Sequence, residues 1–378
     1  MMGISSMDRR SFLKLSAGAL AGMAFWQMGR PLAHAEAPDV VRASVAELPL
    51  KAEDAARKSN LVARNWEKLQ EYADTIADGT LKSKVKGVLK NPAPTFLSAY
   101  GAGDASRVYG ELQAKGLVDP AKTDAAHLLP PIADAKTSPQ PFLTAPGSGY
   151  ASHHPYPGGL VTHTTANVAI LLGIYHAYED VFGYDCVYDV AVAGEILHDL
   201  AKPYVFQWKE DGSSLKEYTI AGTGAHHIFS IAESMYRNLP KEVVVAQACA
   251  HNHPGSDSDA KQVEAWLMAA SILAGKDPVA SGYLTSAGKL TEPVGEEGFL
   301  VHLGDHDWVL SGFAAKKSVA YLGDYAVRVL GVASGDAKRI NAVRNYAGSQ
   351  LSYMRLYQVL AQGGTKQADA LMETVFRA

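Results

Sequence analysis

From Gly159 onward, apolar residues recur at three- and four-residue spacings in one segment after another, and strand-like alternation is scarce. A chain patterned this way buries its apolar stripes by packing helix on helix, so the expected class is all-α. The spacing predicts helices over 160–181, 188–201, 224–236, 243–251 and 260–274. Further helical patterns follow over 313–330 and 337–360, with a short tail helix from Lys366. Upstream, Leu61, Trp66, Leu69, Tyr72, Ala73 and Ile76 form one amphipathic stripe. A second short helix over 81–89 is stopped by Asn91-Pro92-Ala93-Pro94. Residues 129–159, dense in proline and glycine, are expected to cross the surface as an irregular segment, and 203–222 as a polar connection.

The N-terminus carries a different pattern. Arg9-Arg10-Ser11-Phe12-Leu13-Lys14 precedes an apolar run over 15–26 and the small-x-small site Ala33-His34-Ala35. The paired arginines resemble a twin-arginine export signal. The apolar run is well short of the roughly 20 residues that span a bilayer. The expectation is cleavage after Ala35, export by the twin-arginine translocase to the periplasm, and no stable membrane anchor. The full chain has a formal net charge of −4, and removing this basic leader makes it more acidic. Without a long Lys/Arg run, the chain has no footprint for extended nucleic acid. Two cysteines, Cys186 and Cys249, cannot build a Cys-rich zinc site, and two buried thiols are expected. The expected organisation is a leader (1–35), a helical N-terminal region with its Pro/Gly-rich linker (36–150), a metal-binding helical core (151–278) and a helical C-terminal region (279–378).

Most of the 13 histidines fall between residues 153 and 306. His163, the pair His198-Asp199, the pair His226-His227, and His251 with His253 each lie on or just beyond a different predicted helix. Imidazole nitrogens with carboxylate oxygens suit divalent iron, manganese, zinc or cobalt. Facing helices that each supply a ligand are how bundle folds build such centres. One or two ions are expected, held by His163, His198, Asp199, His227, His251 and His253.

Gly158-Gly159-Leu160-Val161-Thr162-His163-Thr164 and Ile196-Leu197-His198-Asp199-Leu200-Ala201-Lys202 resemble the first two motifs of the HD superfamily of metal-dependent phosphohydrolases. The segment from Glu217-Tyr218-Thr219 to Gly224-Ala225-His226-His227-Ile228 is similar to the HD branch with 3′–5′ exoribonuclease activity. There, His227 matches a second-metal ligand and His226 is the extra residue. The resemblance covers about residues 150–275. The family closes its site with an Asp where this chain has Ser271. This leaves the closing role to Asp257, Asp259, Asp277 or Asp305, or implies a site that holds one metal less tightly.

The resemblance implies hydrolysis of a small phosphorylated substrate by metal-activated water. Lys202 would steady the phosphate or leaving group, and His226, if not a ligand, would donate a proton to the leaving oxygen. Two other classes stay open: an HD-fold di-iron oxygenase, and a degenerate HD-fold protein that binds or senses a ligand.

Overall fold

The computed structural model describes residues 39–377 apart from Ala151 and Pro293; the predicted leader lies outside the described residues. Helices dominate: α1 (Ala52–Arg57), α2 (Asn60–Asp74), α3 (Gly79–Lys90), α4 (Asp104–Ala114), α5 (Gly159–Phe182), α6 (Tyr188–Leu197) and α7 (Lys202–Val205). They are followed by α8 (Ala225–Tyr236), α9 (Lys241–Ala248), α10 (Asp257–Ala274), α11 (Glu297–Gly304), α12 (Trp308–Arg328) and α13 (Ala337–Met372). The strands are two-residue pairings: β1 (Ala43–Ser44) parallel to β4 (Phe376–Arg377), and β2 (Thr219–Ile220) antiparallel to β3 (Thr223–Gly224). The fold is all-α. No helix among the described residues is long and apolar enough to cross a membrane.

Two apolar cores account for the packing. The larger joins α2–α4 to α5, α6 and α8–α11 and is centred on side chains such as Leu160, Val192, Ile231, Val243 and Leu267. The smaller joins α12 and α13 to the N-terminal segment, with Ala43, Leu48 and Ala55 packed beside Tyr325 and Tyr346. The helical run α13 is broken at Ser352 and Gly364, where the backbone leaves helical geometry. The predicted tail helix is therefore the stretch beyond Gly364.

Three local features set up the site. Before α5, Gly147 N–H donates to His154 O (2.9 Å), and the loop folds so tightly that a Cβ on Gly159 would lie 1.9 Å from that oxygen. This close approach permits only glycine and starts α5 one turn before His163. Next, α6 ends at Leu197, not at Ala201 as predicted, so His198 and Asp199 sit in a bend rather than in a helix. Ser230 Oγ accepts from Ala201 N–H, and Gln247 donates to Leu197 O, which pins the bend to α8 and α9. Finally, α11 fills a stretch where the sequence shows only a glycine-rich bridge. It is apolar on most sides, and Gly298 lies where a Cβ would come within 2.7 Å of Cys249 Sγ.

Cys186 and Cys249 are both free, buried thiols. Burial alone pushes the Cys249 thiol up to about 12, so thiolate is scarce at neutral pH. Ellman's reagent is expected to leave Cys249 unlabelled in the native protein and to label both cysteines in denaturant. Rapid native labelling of Cys249 would contradict this packing.

Candidate metal centre

Four side chains converge below the α5–α6 contact. His163 Nε2 and His198 Nε2 are each 3.0 Å from Asp199 Oδ2. The two imidazole nitrogens are 3.4 Å apart. Asp305 Oδ1 completes the set, 3.2 Å from His163 and 3.4 Å from His198. Ligand atoms about 2.1 Å from one ion lie about 3.0–3.4 Å from each other, so this spacing fits a first-row divalent cation.

A second group adjoins the first through Asp199. Asp199 Oδ1 is 3.3 Å from His226 Nε2, and His251 falls within the same cluster of possible ligands. His251 Nε2 is 3.7 Å from the other Asp305 oxygen, so both carboxylates face both groups. Asp199 is fully buried, yet neither of its oxygens has a well-aligned hydrogen bond, and His226 Nε2 also lacks one. Carboxylate and imidazole lone pairs that converge in a buried space with so few aligned hydrogen bonds fit a cation.

The surrounding residues fix which nitrogen faces inward. His198 Nδ1–H donates to Glu195 O (2.6 Å), leaving Nε2 as the lone-pair atom. His226 is held by Glu217, whose Oε1 accepts from both its backbone N–H and its Nδ1–H. This is the carboxylate–histidine pairing that orients metal ligands. Asn167, one turn after His163 on α5, donates to Asp305 Oδ1 (3.0 Å). Thr223 Oγ1 lies 3.1 Å from His251 Nδ1. Lys202 is buried, in ion-pair contact with Asp199, and donates to Gly147 O; His153 Nε2 is 3.3 Å from its ammonium.

The structure sets some of the expected ligands apart from this cluster. His227, expected to ligate, instead donates through Nε2 to Ala248 O and stacks on His251 at 4.1 Å between ring centres. Its neighbour His226 faces the cluster. His253 turns away and packs against Phe299 and His302. Ser271 is buried elsewhere, its hydroxyl donating to Met235 Sδ. Of the four proposed replacements, Asp305 is the one at the centre: Asp259, in the first turn of α10, accepts from Ser256 and Asn252, and Asp277 caps a turn. Asp305 lies beyond the 151–278 region expected to hold the whole centre. Sequence reasoning passed over Glu217, Asn167 and His153 as site residues. Glu217 stands in the motif itself, but the other two carry no spacing signal.

The metal-free protein should have a distinctive pH profile. Burial opposes protonation of His226, but Glu217 and Asp199 outweigh it and raise its pKa from 6.5 to about 9. Burial, helped by His226, lowers that of His251 from 6.5 to about 4. A raised histidine stabilises the fold below its unfolded pKa, and this contribution fades as pH climbs through 9. A lowered histidine contributes above 6.5, and its contribution fades as pH falls toward 4. In EDTA the melting temperature is therefore expected to peak near pH 6.5 and decline on both sides, with His226→Gln flattening the alkaline limb. A melting temperature flat from pH 5 to 9 would contradict the charge states assigned here.

No family model and no solved structure matches the chain. Among curated proteins, it is similar to the dihydroneopterin 2′,3′-cyclic phosphate phosphodiesterase of Methanocaldococcus jannaschii: 29% identical over 202 residues, 53% of this chain and 65% of that protein.

Proposed function

We propose that this chain is a metal-dependent phosphohydrolase of the HD type that hydrolyses a phosphodiester in a small organic molecule. The observation that carries the reading is the buried set of His163, His198, Asp199 and Asp305, with His226 and His251 adjoining through shared carboxylates. The similarity to a cyclic-phosphate phosphodiesterase favours phosphodiesters of small molecules over the exoribonuclease chemistry of the branch that the 217–228 segment resembles. The presence of Asp305 removes the main reason to read the site as degenerate.

His163, His198, Asp199 and Asp305 would hold one divalent cation, and Asp199, His226 and His251 a second. Such ions polarise a phosphoryl oxygen and lower the pKa of bound water toward neutrality. The chain's own groups supply the rest. Lys202 is held by Asp199 and Gly147 O, so its charge is already oriented toward the centre before a phosphate arrives. His153 stands beside Lys202 and 4.9 Å from the His163 ring, and burial keeps it neutral, able to accept or donate one proton at Nε2. Glu217 keeps His226 oriented through Nδ1.

The same reading takes the leader as a twin-arginine signal, so the mature enzyme acts in the periplasm after folding, with no membrane anchor and no extended nucleic acid as partner. The deciding experiment is purification of the exported protein, metal analysis, and assay against 2′,3′-cyclic nucleotides, bis(4-nitrophenyl) phosphate and phosphomonoesters. Metal-dependent turnover of the diesters is expected. A protein carrying one or two equivalents of metal yet inert on every phosphoester would overturn the reading.

A further inference from the structure

Arg344 on α13 is a cation without a counter-charge. Its side chain is buried, with 4% of the residue exposed, and no carboxylate among the described residues lies within ion-pair distance. One Nη1–H donates to Asn341 Oδ1 (3.1 Å), while Nε is buried with no hydrogen-bond partner. Burial pulls its pKa down, as expected for a guanidinium short of compensation. The cation lies 4.0 Å from the ring centre of Tyr150, whose hydroxyl reaches the same Asn341 oxygen. Tyr150 is 53% exposed, so the ring that lies against the guanidinium is itself open to solvent.

The position of this pair gives it a role. Tyr150 is three residues before His153, which touches Lys202 and His163, so their Cα atoms are at most about 11 Å apart. Asn341 and Asn345 donate to Asp211 O and Gly212 O, fastening the 209–214 loop along the same side of α13. Burying a guanidinium with no anion is costly unless a ligand supplies one, and its planar fork matches carboxylate and phosphate.

We propose that Arg344, with Tyr150 and Asn341, is a second anion subsite that binds a carboxylate or phosphate at the far end of the substrate. Resting on the phosphohydrolase reading, this makes the substrate a small organic phosphodiester that carries an additional oxyanion. The asparagine oxygen fixes one edge of the guanidinium and leaves the other for the ligand.

The test separates the subsite from the metal centre. EDTA-treated protein is titrated calorimetrically with inorganic phosphate, as wild type, Arg344→Gln and Arg344→Lys. Wild type is expected to bind, with affinity falling at least about tenfold in Arg344→Gln, the loss of a charge-assisted pair. Should Arg344→Gln fail to fold, Arg344→Lys decides, because it keeps the charge but loses the fork; weaker binding is expected there too. Equal affinity in wild type and the variants, or no binding to wild type, overturns the subsite. In the metal-loaded enzyme, adenosine 2′,3′-cyclic phosphate is compared with its 5′-phosphorylated form. A lower KM for the doubly anionic compound, lost in Arg344→Gln, is expected; turnover with no such preference overturns the substrate assignment. Failure to cleave either compound, with phosphate binding intact, would count against the phosphohydrolase reading and leave Arg344 as an anion site.

Discussion

Asp199→Asn is expected to abolish metal binding and, with it, hydrolysis. One oxygen of Asp199 is 3.0 Å from both His163 and His198, and the other is 3.3 Å from His226, so this carboxylate is shared by both ligand groups. The amide keeps the shape but loses the charge, and it turns an NH2 toward a histidine nitrogen. Without a bound cation, water returns toward its pKa of about 15.7, and turnover should fall by more than about 10³-fold. Stability should fall as well, because Lys202 is buried against Asp199 and breaking such a pair costs about 3–5 kcal/mol. The two effects can be separated. Asp199→Asn combined with Lys202→Met removes the unpaired cation and should recover much of the melting temperature without recovering metal. Metal content by mass spectrometry, activity and thermal unfolding check each arm. Undiminished metal in Asp199→Asn would remove the basis for this centre.

Helical periodicity made the framework legible, because packed helices carry their burial pattern in the spacing of their apolar residues. Leu160, Val168 and Leu171 on α5 and Val192 and Ile196 on α6 are buried as that spacing predicts, and their helices bring His163 to His198. Less was readable where a neighbour's position depends on tertiary contacts. Adjacent residues on a helix point about 100° apart, so the pair His226-His227 cannot by itself say which member faces inward. Glu217 and the Ala248 carbonyl decide it, and both come from other elements. The helix α11 escaped the pattern because Phe299, Leu300, Val301 and Leu303 leave no polar face to contrast with the apolar one. Its two glycines, needed for close contact with Cys249 and Glu195, also read as a loop. Without that helix the sequence offers Asp305 as one of four candidate acids and gives no reason to prefer it, although it follows directly. His153 sits in a proline-rich segment whose path is set by hydrogen bonds and not by periodicity.

The position of Ser271 makes the contrast with Asp305 a sharp prediction. On sequence grounds, Ser271→Asp should restore a missing ligand. In the fold, Ser271 is fully buried beside Met235, near the end of α8 opposite His226, and nine residues of helix separate those two by about 13 Å. A carboxylate there would have a thioether for company and no cation within reach. Ser271→Asp is therefore expected to destabilise the protein by about 2–4 kcal/mol, or to fold only with the new acid protonated, and to leave metal content unchanged. Asp305→Asn should do the reverse. Asn167 already donates to Asp305 Oδ1, so the amide can be held in place, but its lost charge faces His163, His198 and His251 together. Metal affinity should fall by at least about the 10–100-fold seen for outer-shell changes, with only a modest change in melting temperature. Measured side by side, the two variants exchange effects: stability moves at 271 and metal at 305. Metal gained by Ser271→Asp, or retained at wild-type affinity by Asp305→Asn, would return the closing position to α10. Asp305 would then be only a buried partner of the histidines.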